Sequence, residues 1–193
     1  MQRDQDGRSG LELQRVPVDH LNKRVRVVGV VIAANLASLD RVVGLQISQR
    51  SAAVLRQATV RIDVVTVRQG LLEVTDRVAG WVDRQEMCSG LLTIFCQHTS
   101  ASLLIQENAA PEVRTDIEAY FARLAPEDAS AYAHDDEGID DMPAHLRTAL
   151  TQTQLSILVR DGLLALGTWQ GIYLFEHRRR PPRRMLTLHL LGE

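Results

Sequence analysis

The stretch QLSILVRDGLLAL, residues 154–166, contains the clearest turn signal in the chain. Asp161 and Gly162 separate two apolar segments, residues 154–160 and 163–166. An Asp-Gly pair between two such segments is typical of a tight hairpin turn, because both residues tolerate a positive φ. We therefore expect two neighbouring antiparallel strands here.

The surrounding chain alternates between strand and helix signals. Period-2 and short apolar runs predict strands over residues 60–64, 91–97, 102–106, 172–177 and 184–191, and apolar spacing of three and four predicts helices over residues 71–87, 111–124 and 143–151. Pro111 suits the first turn of the second helix, and Asp141 is expected to cap the third. A turn containing Pro181 and Pro182 is expected to join the last two strands as a hairpin. Together these signals predict a single α+β domain over residues 54–193 with about three helices.

The composition is that of an ordinary globular protein. The 193 residues are 45% hydrophobic and carry a formal charge of -2. Residues 54–193 contain 14 basic and 19 acidic side chains, which argues against nucleic acid as the main partner. Two cysteines, Cys88 and Cys96, cannot form a disulfide framework, so we expect a cytoplasmic protein.

Residues 1–53 differ from the rest of the chain. They are mildly basic and contain an apolar run, residues 27–39, that resembles the core of a signal peptide but is too short to span a bilayer. We expect a small appendage and no membrane association.

Three of the six histidines fall where functional sites commonly lie. His98 follows a predicted strand, His134 lies in an acidic loop, and His145 begins a predicted helix. Three imidazoles from separate elements could hold a catalytic metal and leave a position open, and Asp140 or Asp141 could orient His145. No HExxH or CxxC motif is present, and surface or hydrogen-bonded core histidines remain the alternative.

Other polar side chains have two interpretations each. Thr99 and Ser100 could hold a phosphate or simply end a strand. Cys96 could pair with His98 as a nucleophile, although a cysteine in an apolar strand is more often buried. Trp169 is either a packing residue or a flat wall for a ring-shaped ligand. The arginine-rich segment 178–184 is expected to be a solvated turn.

Three segments, QHTSASLLIQEN (97–108), YAHDDEGIDDMPAHL (132–146) and LALGTWQGIYLFEHR (164–178), closely resemble the YjbQ-type secondary thiamine-phosphate synthase family. The resemblance covers about residues 54–193 and implies a compact α+β subunit that forms a homotrimer, with its polar cluster near a subunit boundary. It implies a transferase that joins a pyrimidine-methyl diphosphate to a thiazole phosphate to give thiamine phosphate. Because residues 1–53 have no counterpart in the family, a start of translation at Val54 is a hypothesis, and a genuine extension is its rival.

The resemblance also assigns roles to residues. It implies His98, His134 and His145 as metal ligands, and we add Asp135, beside His134, as a candidate catalytic group. The expected substrate-binding residues are Thr99, Ser100, Asn108, Arg147, Thr168, Trp169 and Gln170. The expected cofactor is a divalent metal, zinc or magnesium, although imidazole ligands favour the softer ion. A histidine-metal hydrolase and a non-catalytic ligand-binding trimer remain alternatives.

Overall fold

A computed structural model describes residues 54–193 and, of the preceding residues, the backbone of two short strands. These strands, β1 (Arg26–Val27) and β2 (Val30–Val31), pair antiparallel. The chain divides into two compact units, Met1–Ser51 and Ala52–Glu193. The predictions for the run 27–39 and for a late start concern residues that, β1 and β2 apart, lie outside the described part.

Residues 54–193 form eight strands and three helices, in agreement with the α+β prediction. The strands are β3 (Arg56–Val64), β4 (Gly70–Glu73), β5 (Ser89–Cys96), β6 (Ala101–Glu107), β7 (Gln154–Arg160), β8 (Leu163–Leu164), β9 (Gln170–Glu176) and β10 (Arg184–Gly192), and the helices are α1 (Thr75–Asp83), α2 (Pro111–Leu124) and α3 (Asp141–Ala149). In the part of the chain that the structure describes, no helix has the length and apolar character needed to cross a membrane.

The strands form two antiparallel sheets. The larger has the order β3-β10-β5-β7-β8, and the smaller has the order β4-β9-β6. The main core lies between them and takes apolar side chains from both sheets and from α1. Strand β9 is buried on both faces: Leu174 joins the main core, whereas Tyr173 and Phe175 pack with Ile117 and Phe121 of α2.

The Asp-Gly turn is confirmed. Strands β7 and β8 pair antiparallel on either side of it, and the φ angles of Asp161 and Gly162 are 52° and 80°. Both central residues therefore have the left-handed conformation that this turn requires.

The predicted hairpin between β9 and β10 is wrong. Strand β9 pairs with β4 and β6, whereas β10 pairs with β3 and β5 in the other sheet. Both edges of each strand are therefore occupied, and residues 177–183 cross from one sheet to the other. Arg179, Arg180 and Arg183 are exposed, as the solvated-turn prediction expects. Arg178 and Arg184, at the two ends of the predicted segment, differ from it because they form ion pairs with Asp141 and Glu176.

Two helix boundaries also differ from prediction. The segment that includes Leu71 is strand β4, because it pairs with β9, and α1 begins only at Thr75. Helix α3 includes Asp141 as its first residue rather than as its cap, because the carboxylates of Asp140 and Asp141 bind arginines instead.

Candidate metal centre

His134, Asp141 and His145 form a group whose nitrogen and oxygen atoms all lie within 4.8 Å of one another. His134 Nε2 is 2.7 Å from Asp141 Oδ2, and His145 Nε2 is 3.4 Å from the same oxygen. Asp141 and His145 are four residues apart on α3, which places them on one face of the helix. His134 reaches them from the loop before α3. Two imidazoles and one carboxylate form a ligand set suited to zinc or ferrous iron.

His145 is oriented by its second ring nitrogen. Its Nδ1–H donates to the backbone carbonyl of Thr99, 3.1 Å away. A carbonyl only accepts, so Nδ1 carries a proton and Nε2 is the ring nitrogen that faces Asp141. A nitrogen and a carboxylate oxygen at this separation are favourable together only with a proton or a cation between them. Metal-binding histidines are commonly fixed by a backbone carbonyl in this way.

Asp141 is buried, with its side chain 2% exposed, and its second oxygen forms an ion pair with Arg178. The same guanidinium donates from Nε to Asp140 Oδ2 at 3.1 Å and from Nη2 to the carbonyl of Glu137 at 2.8 Å. Burial alone would raise the pKa of Asp140, but the Arg179 N–H and Arg178 bind its carboxylate and hold its pKa below the ordinary value. Arg178 therefore fixes Asp141 in place while leaving Oδ2 directed at the two histidines.

The structure brings His134 and His145 together and does not bring His98 into their group. His98 Nε2 accepts the N–H of Met185 at 2.8 Å, so this nitrogen has no lone pair to offer a metal. Burial lowers the pKa of His98, and the charge on Arg184 lowers it further, which favours the neutral ring. His98 instead lines a pocket of about 440 Å³ beside His145, together with Thr99, Thr148, Ala149, Thr151 and Thr153.

The loop that carries His98, Thr99 and Ser100 is anchored by the buried ion pair of Arg184 and Glu176. Arg184 binds the Ser100 hydroxyl and carbonyl, each at 3.1 Å, and pairs with Glu176, and both charged side chains are 2% exposed or less. Glu176 also accepts the hydroxyl of Thr66 at 2.8 Å. Both the hydroxyl and the carbonyl of Ser100 therefore accept hydrogen bonds from Arg184 within this chain.

The remaining predicted residues lie away from the histidines. Arg147 is buried and lines a different cavity from His145, and Asp135 is exposed outside the metal group. Asn108, Thr168, Trp169 and Gln170 lie where β6 ends and β9 begins, the opposite end of these strands from His98. The Asn108 N–H donates to the Trp169 carbonyl at 3.0 Å, and the Trp169 side chain is largely exposed.

Sequence reasoning missed three contributors to this site. Asp141 was predicted to orient His145 rather than to sit beside it as a third donor, although the four-residue spacing indicated a shared face. Arg178 and Arg184 were assigned to a solvated turn. The signal available for them was Glu176, a carboxylate at the end of an otherwise apolar strand that needs a buried partner.

A two-sheet α+β fold with a histidine–carboxylate cluster between a loop and a short helix defines the class of this protein. A family model described as UPF0047 protein YjbQ-like matches residues 60–193. The chain belongs to this family.

Similar proteins come from bacteria and archaea. A UPF0047 protein of Synechocystis is 47% identical over 74% of this chain and 97% of its own length, and the UPF0047 protein YjbQ of Salmonella typhimurium is 45% identical over 63% of this chain and 85% of its own. Among solved structures, a YbjQ-like protein of unknown function from Sulfolobus solfataricus has a TM-score of 0.67 at 27% identity, with 72% of this chain and all of that chain covered. A YjbQ/UPF0047 protein from Clostridium acetobutylicum has a TM-score of 0.60 at 31% identity, covering 69% of this chain and 98% of its own.

Proposed function

We propose that this protein is a metal-dependent transferase that joins a pyrimidine-methyl diphosphate to a thiazole phosphate, releasing diphosphate and forming thiamine phosphate. The observation that carries the metal dependence is the cluster of His134, Asp141 and His145, with the tautomer of His145 fixed by Thr99. The choice of reaction comes from the resemblance of the three sequence segments to the thiamine-phosphate synthase family.

The chemistry requires a cation and hydrogen-bond donors more than a strong base. A ring nitrogen of the thiazole attacks the methylene carbon of the pyrimidine substrate, and the bond from that carbon to the diphosphate oxygen breaks. When bound, the metal supplies positive charge that stabilises the departing diphosphate. His134, His145 and Asp141 would hold it, and this donor set favours zinc over magnesium.

The pocket between His98 and His145 offers donors for a phosphate. Four of its seven lining residues are threonines, and the buried hydroxyl of Thr148 has no hydrogen-bond partner among the described residues. A buried hydroxyl without a partner is costly, and a phosphate oxygen of the substrate would satisfy it.

The two groups of predicted substrate-binding residues support the homotrimer that the family resemblance implies. Trp169 and His98 lie at opposite ends of the seven-residue strand β6, which separates them by about 20 Å at ~3.3 Å per residue. Side chains cannot bridge that distance within one subunit. A site that contains both groups therefore needs Trp169 from a neighbouring copy.

Metal analysis and a product assay test this function. The full chain is expected to bind about one divalent metal ion per subunit and to form thiamine phosphate from the two substrates, and His145→Ala is expected to lose both properties. His189→Ala is the matched control, because His189 lies on β10, outside the metal cluster, and its Nε2 is 3.3 Å from Gln57 Oε1. A metal-loaded protein that forms no thiamine phosphate would refute the transferase.

Mixing two inactive variants tests the shared site. Trp169→Ala and His145→Ala subunits that assemble together would form some sites free of both substitutions, so the mixture should recover part of the activity. No recovery in mixed trimers would mean that Trp169 and His145 act within the same subunit, or that one of them does not belong to the site.

The donor set also favours a second candidate, a metal-dependent hydrolase. Two imidazoles, one carboxylate and an open position are the ligand arrangement of several zinc hydrolases. Release of diphosphate from the pyrimidine substrate when the thiazole phosphate is omitted would support hydrolysis. Strict dependence on the second substrate would support transfer.

A further inference from the structure

A second cavity, of about 590 Å³, lies beside helix α2 and has no lining residue in common with the pocket of His98 and His145. Its polar walls are formed by Gln69, Thr115, Glu118, Glu127, Arg147, Glu176 and Arg179. The volume falls within the range of pockets that bind small molecules.

Arg147 is the unusual member of this cavity. The residue is 6% exposed, and its Nη2 donates to the carbonyl of Ala125 at 2.7 Å. Its Nε–H has no partner among the described residues, and the nearest carboxylate, Glu127, is 3.8 Å from Nη1. A buried guanidinium that is loosely paired and has a free donor is an unfavourable arrangement unless an anion can reach it.

Glu127 occupies the position that such an anion would take. Its carboxylate forms an ion pair with Arg179, faces Arg147, and accepts the side-chain N–H of Gln69 at 2.7 Å. One carboxylate thus serves two guanidinium groups. The other two carboxylates of the cavity have partners of their own: Glu118 accepts the N–H of Leu71 and pairs with Arg68, and Glu176 pairs with Arg184.

We propose that this cavity binds a small metabolite through its phosphate or carboxylate group, which takes the place of the Glu127 side chain between Arg147 and Arg179. Arginine suits this role because its planar fork matches both kinds of oxyanion. Phe175, Ala119, Ala122 and Pro126 provide an apolar wall for the body of the ligand. This binding site does not depend on the reaction proposed for the metal centre.

Titration calorimetry of the full chain with inorganic phosphate and, separately, with succinate tests the proposal and distinguishes a phosphate from a carboxylate ligand. Arg179→Gln is expected to weaken binding by about fivefold, since it removes one charged contact. Arg123→Gln is the matched control, because Arg123 is exposed on α2 and does not line the cavity. Arg147 itself is avoided because its burial makes misfolding a complication.

The direction in which Glu127→Gln changes the anion affinity distinguishes the proposal from a purely structural role of Glu127. A glutamine keeps an acceptor for Gln69 but removes the competing charge, so anion binding is expected to strengthen, whereas a structural role for Glu127 alone would not strengthen it. Binding that persists in His145→Ala places the anion away from the metal centre. The proposal is overturned if neither anion binds, if Glu127→Gln weakens binding, or if His145→Ala abolishes it.

Discussion

Acidification is expected to destabilise this protein through the buried residue His177. Its ring is fully buried after β9, accepts or donates one hydrogen bond with Ser102 Oγ at 2.9 Å, and packs on Phe175. Burial, and then the charges of Arg147 and Arg184, lower the pKa of His177 from 6.5 to about 3. Between these two pKa values, His177 is therefore protonated in the unfolded chain but not in the folded protein.

The size of the effect follows from these two pKa values. Stability from a histidine whose pKa falls on folding is complete above the unfolded value and is lost as the pH drops toward the folded value. Between about pH 7 and pH 5, the unfolded chain gains most of one proton at this residue and the folded chain gains almost none. The expected loss is about 2 kcal/mol in the free energy of unfolding.

Urea unfolding of the full chain and of His177→Gln, at one protein concentration and with a chelator present, measures this loss. The variant cannot titrate at this position and should lose about 2 kcal/mol less than the native protein over the same pH interval. His189→Gln, which removes a partly exposed histidine of β10, is the matched control for the loss of an imidazole as such. If the free energy of unfolding falls equally with pH in the native protein and in His177→Gln, the reasoning is refuted.

Three further outcomes are expected. Glu176→Leu and Arg184→Met should each cost about 3–5 kcal/mol in denaturant unfolding, because each leaves a buried charge, and the double variant should cost less than their sum; additive costs would contradict a buried pair. Gly162→Ala should lower stability by about 1 kcal/mol in thermal unfolding through its φ of 80° alone, since an added Cβ meets nothing within 4 Å, and an unchanged midpoint would argue against this turn. Trp169→Ala should change stability by no more than about 0.5 kcal/mol, because the indole is 63% exposed, yet abolish thiamine phosphate formation; a matching fall in both would indicate a packing role.

Local signals in the sequence predicted the elements that depend on local interactions. The Asp161–Gly162 turn follows from the φ preferences of two adjacent residues, and helix α2 follows from Pro111 and the apolar spacing after it. Both agree with the structure because no distant partner decides their conformation. The predicted positions of His134 in a loop and His145 on a helix are correct for the same reason.

Pairing between distant segments could not be predicted in this way. Leu71 fits a helical period with the residues after it, but the β9 partner that makes it a strand lies about a hundred residues away. The connection between β9 and β10 has the length of a hairpin loop, and only the edges already occupied by β4, β6, β3 and β5 exclude that pairing. The ion pair of Glu176 and Arg184 is a product of this crossing. A carboxylate at the end of an apolar strand indicates a buried partner, but no local pattern identifies Arg184 as that partner.

The crossover between the sheets explains why the candidate site lies where it does. Residues 177–183 leave the smaller sheet at Glu176 and enter the larger one at Arg184. Arg178, at the start of the segment, fixes Asp141 against His134 and His145, and Arg184, at its end, holds the loop of His98 through Ser100. One short segment thus sets the position of both the candidate metal ligands and the neighbouring pocket, which are otherwise carried by separate elements. A substitution that displaces this segment should therefore disturb metal binding and the pocket together, whereas a change in α3 alone should affect the metal ligands first.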